Sequence, residues 1–222
     1  MDLKDLRAAF LGDSITEGVG ASSRENSYPA ILAANTGIKS LNYGLSGTRI
    51  ARQKKTYGNH VEWDRNFISR VDEIADDAKV IVVCGSINDY MHGDAELGCF
   101  DDRNEYSFFG AMHILLDRLI KRFPEAHIVF MTPPRFVGDL SPEYAYINKG
   151  HKFSEYLRAV KEVCDHYSVP VFDLYLESGL DSNITELRER FYSDGVHLND
   201  NGYKRVAEKL EEFLRKLPCK EK

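Results

Sequence analysis

Ser14 follows Gly12-Asp13 directly after the apolar run Ala8-Ala9-Phe10-Leu11, and His197 stands three residues beyond the carboxylate in Asp194-Gly195-Val196-His197. These are the residue types of nucleophilic acyl transfer. A serine hydroxyl is a poor nucleophile at neutral pH and needs an adjacent base to take its proton. An imidazole titrates in the useful range, and a carboxylate bonded to its second nitrogen holds it in the productive tautomer. The glycine between Asp194 and His197 lets one loop present both side chains. Each fragment also has a plainer meaning. Gly-Asp-Ser is a common turn, and the Asp194 segment can serve only to start the helix after it, with His197 on the surface.

Two further segments suit the same chemistry. Gly44-Leu45-Ser46-Gly47 offers a glycine whose backbone N–H a substrate can approach closely. Asn88-Asp89 offers a side-chain amide that can donate to an oxyanion without bringing a charge or a competing base. In isolation both read equally well as turns.

The elements that must position these residues alternate along the chain. Five apolar runs read as strands: Ala8–Leu11, Leu41–Tyr43, Val80–Cys84, Ile128–Met131 and Val169–Leu174. Continuous β-branched runs suit strands buried on both faces of a parallel sheet. Helical periodicity lies between them, in Met112, Leu115, Leu116, Leu119 and Phe123, and in Phe153, Tyr156, Leu157, Val160, Cys164 and Tyr167. A last helix follows Asn199-Asp200-Asn201-Gly202, with Val206, Leu210, Phe213, Leu214 and Leu217 inward. The pattern predicts one α/β domain over residues 1–222: a three-layer α/β/α sandwich around a flavodoxin-like, mainly parallel five-stranded sheet of order 2-1-3-4-5. In that order strands one and three are neighbours. Ser14, Gly47 and Asn88 each follow one of the first three strands, so all three converge on the crevice at the strands' carboxyl ends. Two long connections, 90–106 and 133–149, follow strand ends as well and are expected to carry binding surface.

With the blocks laid out, the sequence resembles the SGNH (GDSL-type) hydrolase superfamily. The similar segments are Gly12-Asp13-Ser14-Ile15-Thr16-Glu17-Gly18, Asn42-Tyr43-Gly44-Leu45-Ser46-Gly47, Asn88-Asp89, and Asp194-Gly195-Val196-His197-Leu198-Asn199. The similarity runs from Leu6 to about Lys216. It implies Ser14 as nucleophile, His197 as base and Asp194 as its orienter. The Ser14 and Gly47 amides, with the Asn88 side chain, would line an oxyanion hole. One position departs from the pattern: Ser86 stands where Gly-x-Asn-Asp has glycine, so its side chain either crowds the acyl pocket or adds a hydrogen bond.

Composition narrows the field. A net charge of −6 argues against nucleic acid as a partner. No apolar run approaches a membrane span, and the start of the chain lacks the apolar centre of a signal peptide. Four scattered cysteines then read as reduced thiols, and a cytoplasmic location is expected. No cofactor is expected. His92-Gly93-Asp94 and Asp101-Asp102 match no familiar metal site, so no metal is expected either. Absence of a Gly-x-Ser-x-Gly elbow counts against the α/β-hydrolase kind of lipase. The expected substrate is a small-molecule ester, a short acyl group (acetyl) on a carbohydrate or other small polar alcohol. Asp13, Arg49, Ser86, Tyr90, Arg135 and Tyr144 are candidates to face it. A lysophospholipase or thioesterase using the same residues is the alternative, and a non-catalytic flavodoxin-like binding module is the alternative of another class. A homo-oligomer is left open.

Overall fold

The five apolar runs form five strands: β1 (Arg7–Gly12), β2 (Lys39–Gly44), β3 (Val80–Cys84), β4 (His127–Met131) and β5 (Val171–Phe172). They pair in parallel in the order β2-β1-β3-β4-β5, as the alternation predicts. The structure, a computed structural model, describes residues 1–56, 58–140 and 150–218. β3 is buried at every position, which is why it reads as an unbroken β-branched run rather than an alternating one.

Helices cover both faces. On one, α2 (Tyr28–Thr36) packs against α9 (Asp200–Lys216). On the other, α5 (Phe108–Arg122) packs against α6 (Phe153–His166) and α3 (Phe67–Arg70). The inward stripes are those the periodicity predicts. Met112, Leu115, Leu116 and Leu119 are buried on α5, Phe153, Tyr156 and Val160 on α6, and Val206, Leu210 and Leu214 on α9, while Phe213 and Leu217 are partly buried. Asn199 caps α9, its side chain accepting from the Asn201 and Gly202 amides.

The short helices α1 (Ser14–Glu17), α4 (Ile87–Met91), α7 (Leu174–Glu177) and α8 (Thr185–Phe191) carry no periodic stripe long enough to be read from sequence. Two of them matter most for the site, because register sets where they begin. Gly12 pairs with both Gly44 and Cys84, so β2, β1 and β3 end level. The segments carrying Ser14, Gly47 and Asn88 therefore leave the sheet from one line. Among the described residues no helix is long and apolar enough to cross a membrane.

Candidate active site

The first segment turns sharply because Gly12 lacks a side chain: a methyl there would collide with the Thr16 side chain. Asp13 caps α1, its carboxylate accepting the Ile15 amide at 3.0 Å, and Ser14 becomes the first helical residue. The Ser14 side chain opens into a cleft of about 230 Å³. Ile15, Ile87, Met91 and Val196 supply its apolar wall, and Asp13, Asn88, Asp194, His92 and His197 its polar groups. A larger hollow, about 470 Å³ beside β2 and lined by Glu17, Arg24 and Ser40 among others, contains none of these.

His197 reaches Ser14 from a tight loop. The Ser193 amide donates to His197 O at 2.9 Å, closing the turn around Gly195, whose φ is +89°. Asp194 Oδ1 accepts the Val196 and His197 amides at 3.0 and 2.7 Å, and Oδ2 pairs with His197 Nδ1 at 2.7 Å. His197 Nε2 lies 2.9 Å from Ser14 Oγ. A proton on Nδ1 facing Asp194 leaves the Nε2 lone pair for the serine hydroxyl, the tautomer the partners dictate. Burial acts to raise Asp194, but hydrogen bonds from the His197 ring and the His197 and Val196 amides outweigh it and hold the carboxyl below the usual range.

The separation of 183 positions between serine and imidazole is bridged by a latch at the start of α9. Asp200 accepts from the Ser22 amide and hydroxyl at 2.8 and 2.6 Å and from Asn26 Nδ2 at 3.1 Å, and Tyr203 donates to Val19 O at 2.7 Å. From the other side, Gly195 O accepts the Val137 amide and the Ser182 hydroxyl.

Gly47 stands with φ +76°, and its missing side chain makes room for the Trp63 indole, which a methyl would strike. Its loop is tied to the third segment twice. Asn88 Nδ2 donates to Thr48 O at 3.0 Å, spending one of its two protons and leaving one for a ligand. Asp89 accepts the Ile50 and Ala51 amides at 3.0 and 2.9 Å. Burial pushes Asp89 up to about 7 against those bonds and the Arg49 charge. Burial likewise pushes Asp13 up to about 6, despite the Ile15 amide and the charges of His197 and Arg70.

Several residues expected to face the alcohol do otherwise. Tyr90 is buried in a ring cluster with Phe136, Phe153 and Tyr156, because α4 turns it away from the cleft. Arg49 is buried and donates to Gly47 O at 3.0 Å, so it supports the loop from within. Arg135 is drawn to Asp139 and Asp181, with Tyr175 and Asn183 completing the shell around Asp139. Ser86 is buried with φ +105°, and its hydroxyl has no hydrogen-bond partner among the described residues. Tyr144 lies outside the described residues. Asp13 does line the cleft.

Sequence reasoning passed over Arg70 and Trp63, the first buried behind Gly12 and Thr48, the second stacked on His60 beside Gly47. Trp63 is the single tryptophan of the chain, and a lone aromatic before a short run is all that could have drawn attention to it. Among the described residues no cluster of three or more His, Cys, Asp or Glu is arranged to hold a metal ion.

The profile of the GDSL-like lipase/acylhydrolase family matches residues 10–205. A solved structure of a protein from Lactobacillus plantarum is 29% identical, with a TM-score of 0.83 over 97% of this chain and 99% of that one. A lipase/acylhydrolase from Enterococcus faecalis shares the fold at 17% identity, with a TM-score of 0.65 over 98% of this chain and 100% of that one. A two-domain esterase active on acetylated mannans shares it at 18% identity and a TM-score of 0.62, over 98% of this chain and 50% of that one. No curated protein matches the chain in sequence.

Proposed function

The chain belongs to the GDSL-like lipase/acylhydrolase family and is a hydrolase of ester bonds, and on that premise we propose that it is a serine esterase working through an acyl-enzyme on Ser14. His197 is the general base, Asp194 its orienter, and the Ser14 and Gly47 amides with the Asn88 side chain form the oxyanion hole. The observation that carries this is the unbroken chain Asp194–His197–Ser14, with hydrogen bonds of 2.7 and 2.9 Å.

As Ser14 Oγ bonds to the ester carbonyl carbon, its proton passes to His197 Nε2, and the carbonyl oxygen takes the negative charge. The imidazolium gains the Asp194 carboxylate as counter-ion. When the tetrahedral intermediate collapses, the C–O bond to the alcohol breaks and His197 returns its proton to the departing oxygen. A water then repeats the sequence on the acyl-enzyme: His197 takes its proton, releases the acid and restores the Ser14 hydroxyl.

The favoured substrate is a short acyl ester, an acetyl group, on a carbohydrate or other small polar alcohol. A cleft of about 230 Å³ supports the short acyl group, since it is smaller than the pockets that enclose drug-sized ligands. The carbohydrate finds support in the stacked His60 and Trp63 rings beside Gly47, an aromatic surface suited to the C–H face of a sugar. The fold shared with an esterase active on acetylated mannans points the same way.

The test is hydrolysis of p-nitrophenyl esters of rising chain length beside acetylated sugars, by the wild type and Ser14→Ala. Acetate should be cleaved fastest and Ser14→Ala should be inert. Turnover surviving in a pure Ser14→Ala protein would refute the nucleophile, and rates that climb with chain length would favour a lysophospholipase or thioesterase.

A further inference from the structure

Arg70 is a charge for which the reaction above has no use. It ends α3 with its side chain buried, and its guanidinium donates to Tyr43 O at 2.7 Å, Gly12 O at 3.0 Å and Thr48 Oγ1 at 2.9 Å. All three acceptors are neutral. Its Nε–H has no acceptor among the described residues, and the Phe67 ring lies 4.8 Å from Cζ. The charges of Glu73, Arg65 and Asp13 act on it from outside hydrogen-bond range, while burial dominates and pulls it down to about 10. Removing a guanidinium from water with no carboxylate bonded to it is strongly unfavourable. Holding two carbonyls and a hydroxyl does not require it, because a neutral amide donates to the same acceptors.

The location of those acceptors supplies the reason. Gly12 lies two residues before Ser14, and Tyr43 is the last residue but one of the neighbouring strand β2, opposite Leu11. Thr48 directly follows Gly47, and its carbonyl accepts from Asn88 Nδ2. The guanidinium is therefore hydrogen-bonded directly to the segments that lead to Ser14 and follow Gly47, and it reaches Asn88 through Thr48. A fixed positive charge in water-poor surroundings stabilises negative charge where it develops and needs no reorganisation to do so.

We propose that Arg70 is a positioning residue for the oxyanion hole: it orders the strand ends and Thr48, and its buried charge is compensated by the oxyanion of the tetrahedral intermediate. This rests on the serine-esterase reading, and the experiment separates the two. Arg70→Gln keeps donors for the carbonyls and removes the charge, whereas Arg70→Lys keeps the charge and loses the fork. Each is measured for kcat and KM on p-nitrophenyl acetate and for binding of phenylboronic acid, which forms an anionic tetrahedral adduct on serine. Circular dichroism establishes that each is folded.

In Arg70→Gln, kcat should fall about 10–50-fold, as expected for one charge acting across a protein interior. KM should change by less than about threefold, and the boronate Ki should rise by the same factor as kcat falls. Arg70→Lys should recover most of both losses. Equal losses in the two variants, or an unchanged boronate Ki, would reduce Arg70 to a structural staple and overturn the proposal. If Arg70→Gln does not fold, Arg70→Lys decides alone: boronate affinity kept within about threefold of wild type supports the charge, and its full loss refutes it. A wild type that neither turns over ester nor binds boronate sinks the serine-esterase reading and this inference together. An active, boronate-binding wild type with a normal Arg70→Gln sinks only this inference.

Discussion

Replacing Ser86 by glycine should make the protein more stable, an uncommon direction for a change beside an active site. Ser86 joins β3 to α4 with φ +105° and ψ −23°, a conformation that costs a residue with a Cβ roughly 1–3 kcal/mol. Its hydroxyl is buried without a partner among the described residues, which adds about 1–3 kcal/mol of uncompensated desolvation. Against this, glycine loses more backbone freedom on folding, a penalty of about 0.5–1 kcal/mol. The balance favours Ser86→Gly by about 1–3 kcal/mol once overlap between the two costs is allowed for. For a chain of this length that is a rise in Tm of roughly 3–10 °C. Thermal and urea unfolding, followed through the fluorescence of Trp63, measure it directly, because no other tryptophan contributes. An unchanged or lower Tm would show that the hydroxyl has a partner in solution or that the backbone there is not strained, and the reasoning would fail.

Three other outcomes follow from the same geometry. Asp194→Asn should lower kcat by about 10⁴ with little change in KM, because the amide favours the wrong imidazole tautomer; steady-state kinetics at pH 7.5 decide it, and a loss below tenfold would refute the orienting role. Asn88→Ala should cost about 10²–10³ in kcat, measured on p-nitrophenyl acetate, and a loss confined to KM would exclude it from the oxyanion hole. Asp13, raised by burial from 3.8 to about 6, binds its proton more tightly when folded than unfolded, so it opposes folding increasingly as pH rises through that interval and by a constant amount above it. Asp89 acts with the same sign up to about 7, while His92 and His113, lowered by burial, act with the opposite sign. The Asp13 contribution is therefore isolated by difference: urea stability of the wild type should decline relative to Asp13→Asn between pH 4 and 6, and a difference independent of pH would contradict the assignment.

The sheet was readable because its strands are buried on both faces. Val80 to Cys84 can be little else than an interior strand, and the order of the blocks carried the crevice with it. The loop residues were harder, since a position in a loop does not say which way a side chain turns. Arg49 and Tyr90 look from sequence like residues that greet a substrate, yet both point inward, one onto Gly47 O and the other into a ring cluster. Arg135 was legible as a polar residue after β4 but not as a partner of Asp139 and Asp181, the second of these 46 positions away. Arg70 left no local trace at all. It sits in a single helical turn, and its meaning depends on Gly12, Tyr43 and Thr48, which only the folded sheet gathers around it.

The latch between Asp200 and the Ser22–Asn26 turn has a consequence for the order of events during synthesis. The Ser14 hydroxyl is made 183 positions ahead of the His197 imidazole, and Asp200, which closes the clasp that seats that imidazole, follows later still. On the proposed mechanism a growing chain carries its Ser14 hydroxyl inert through that interval, and reactivity arrives when α9 docks.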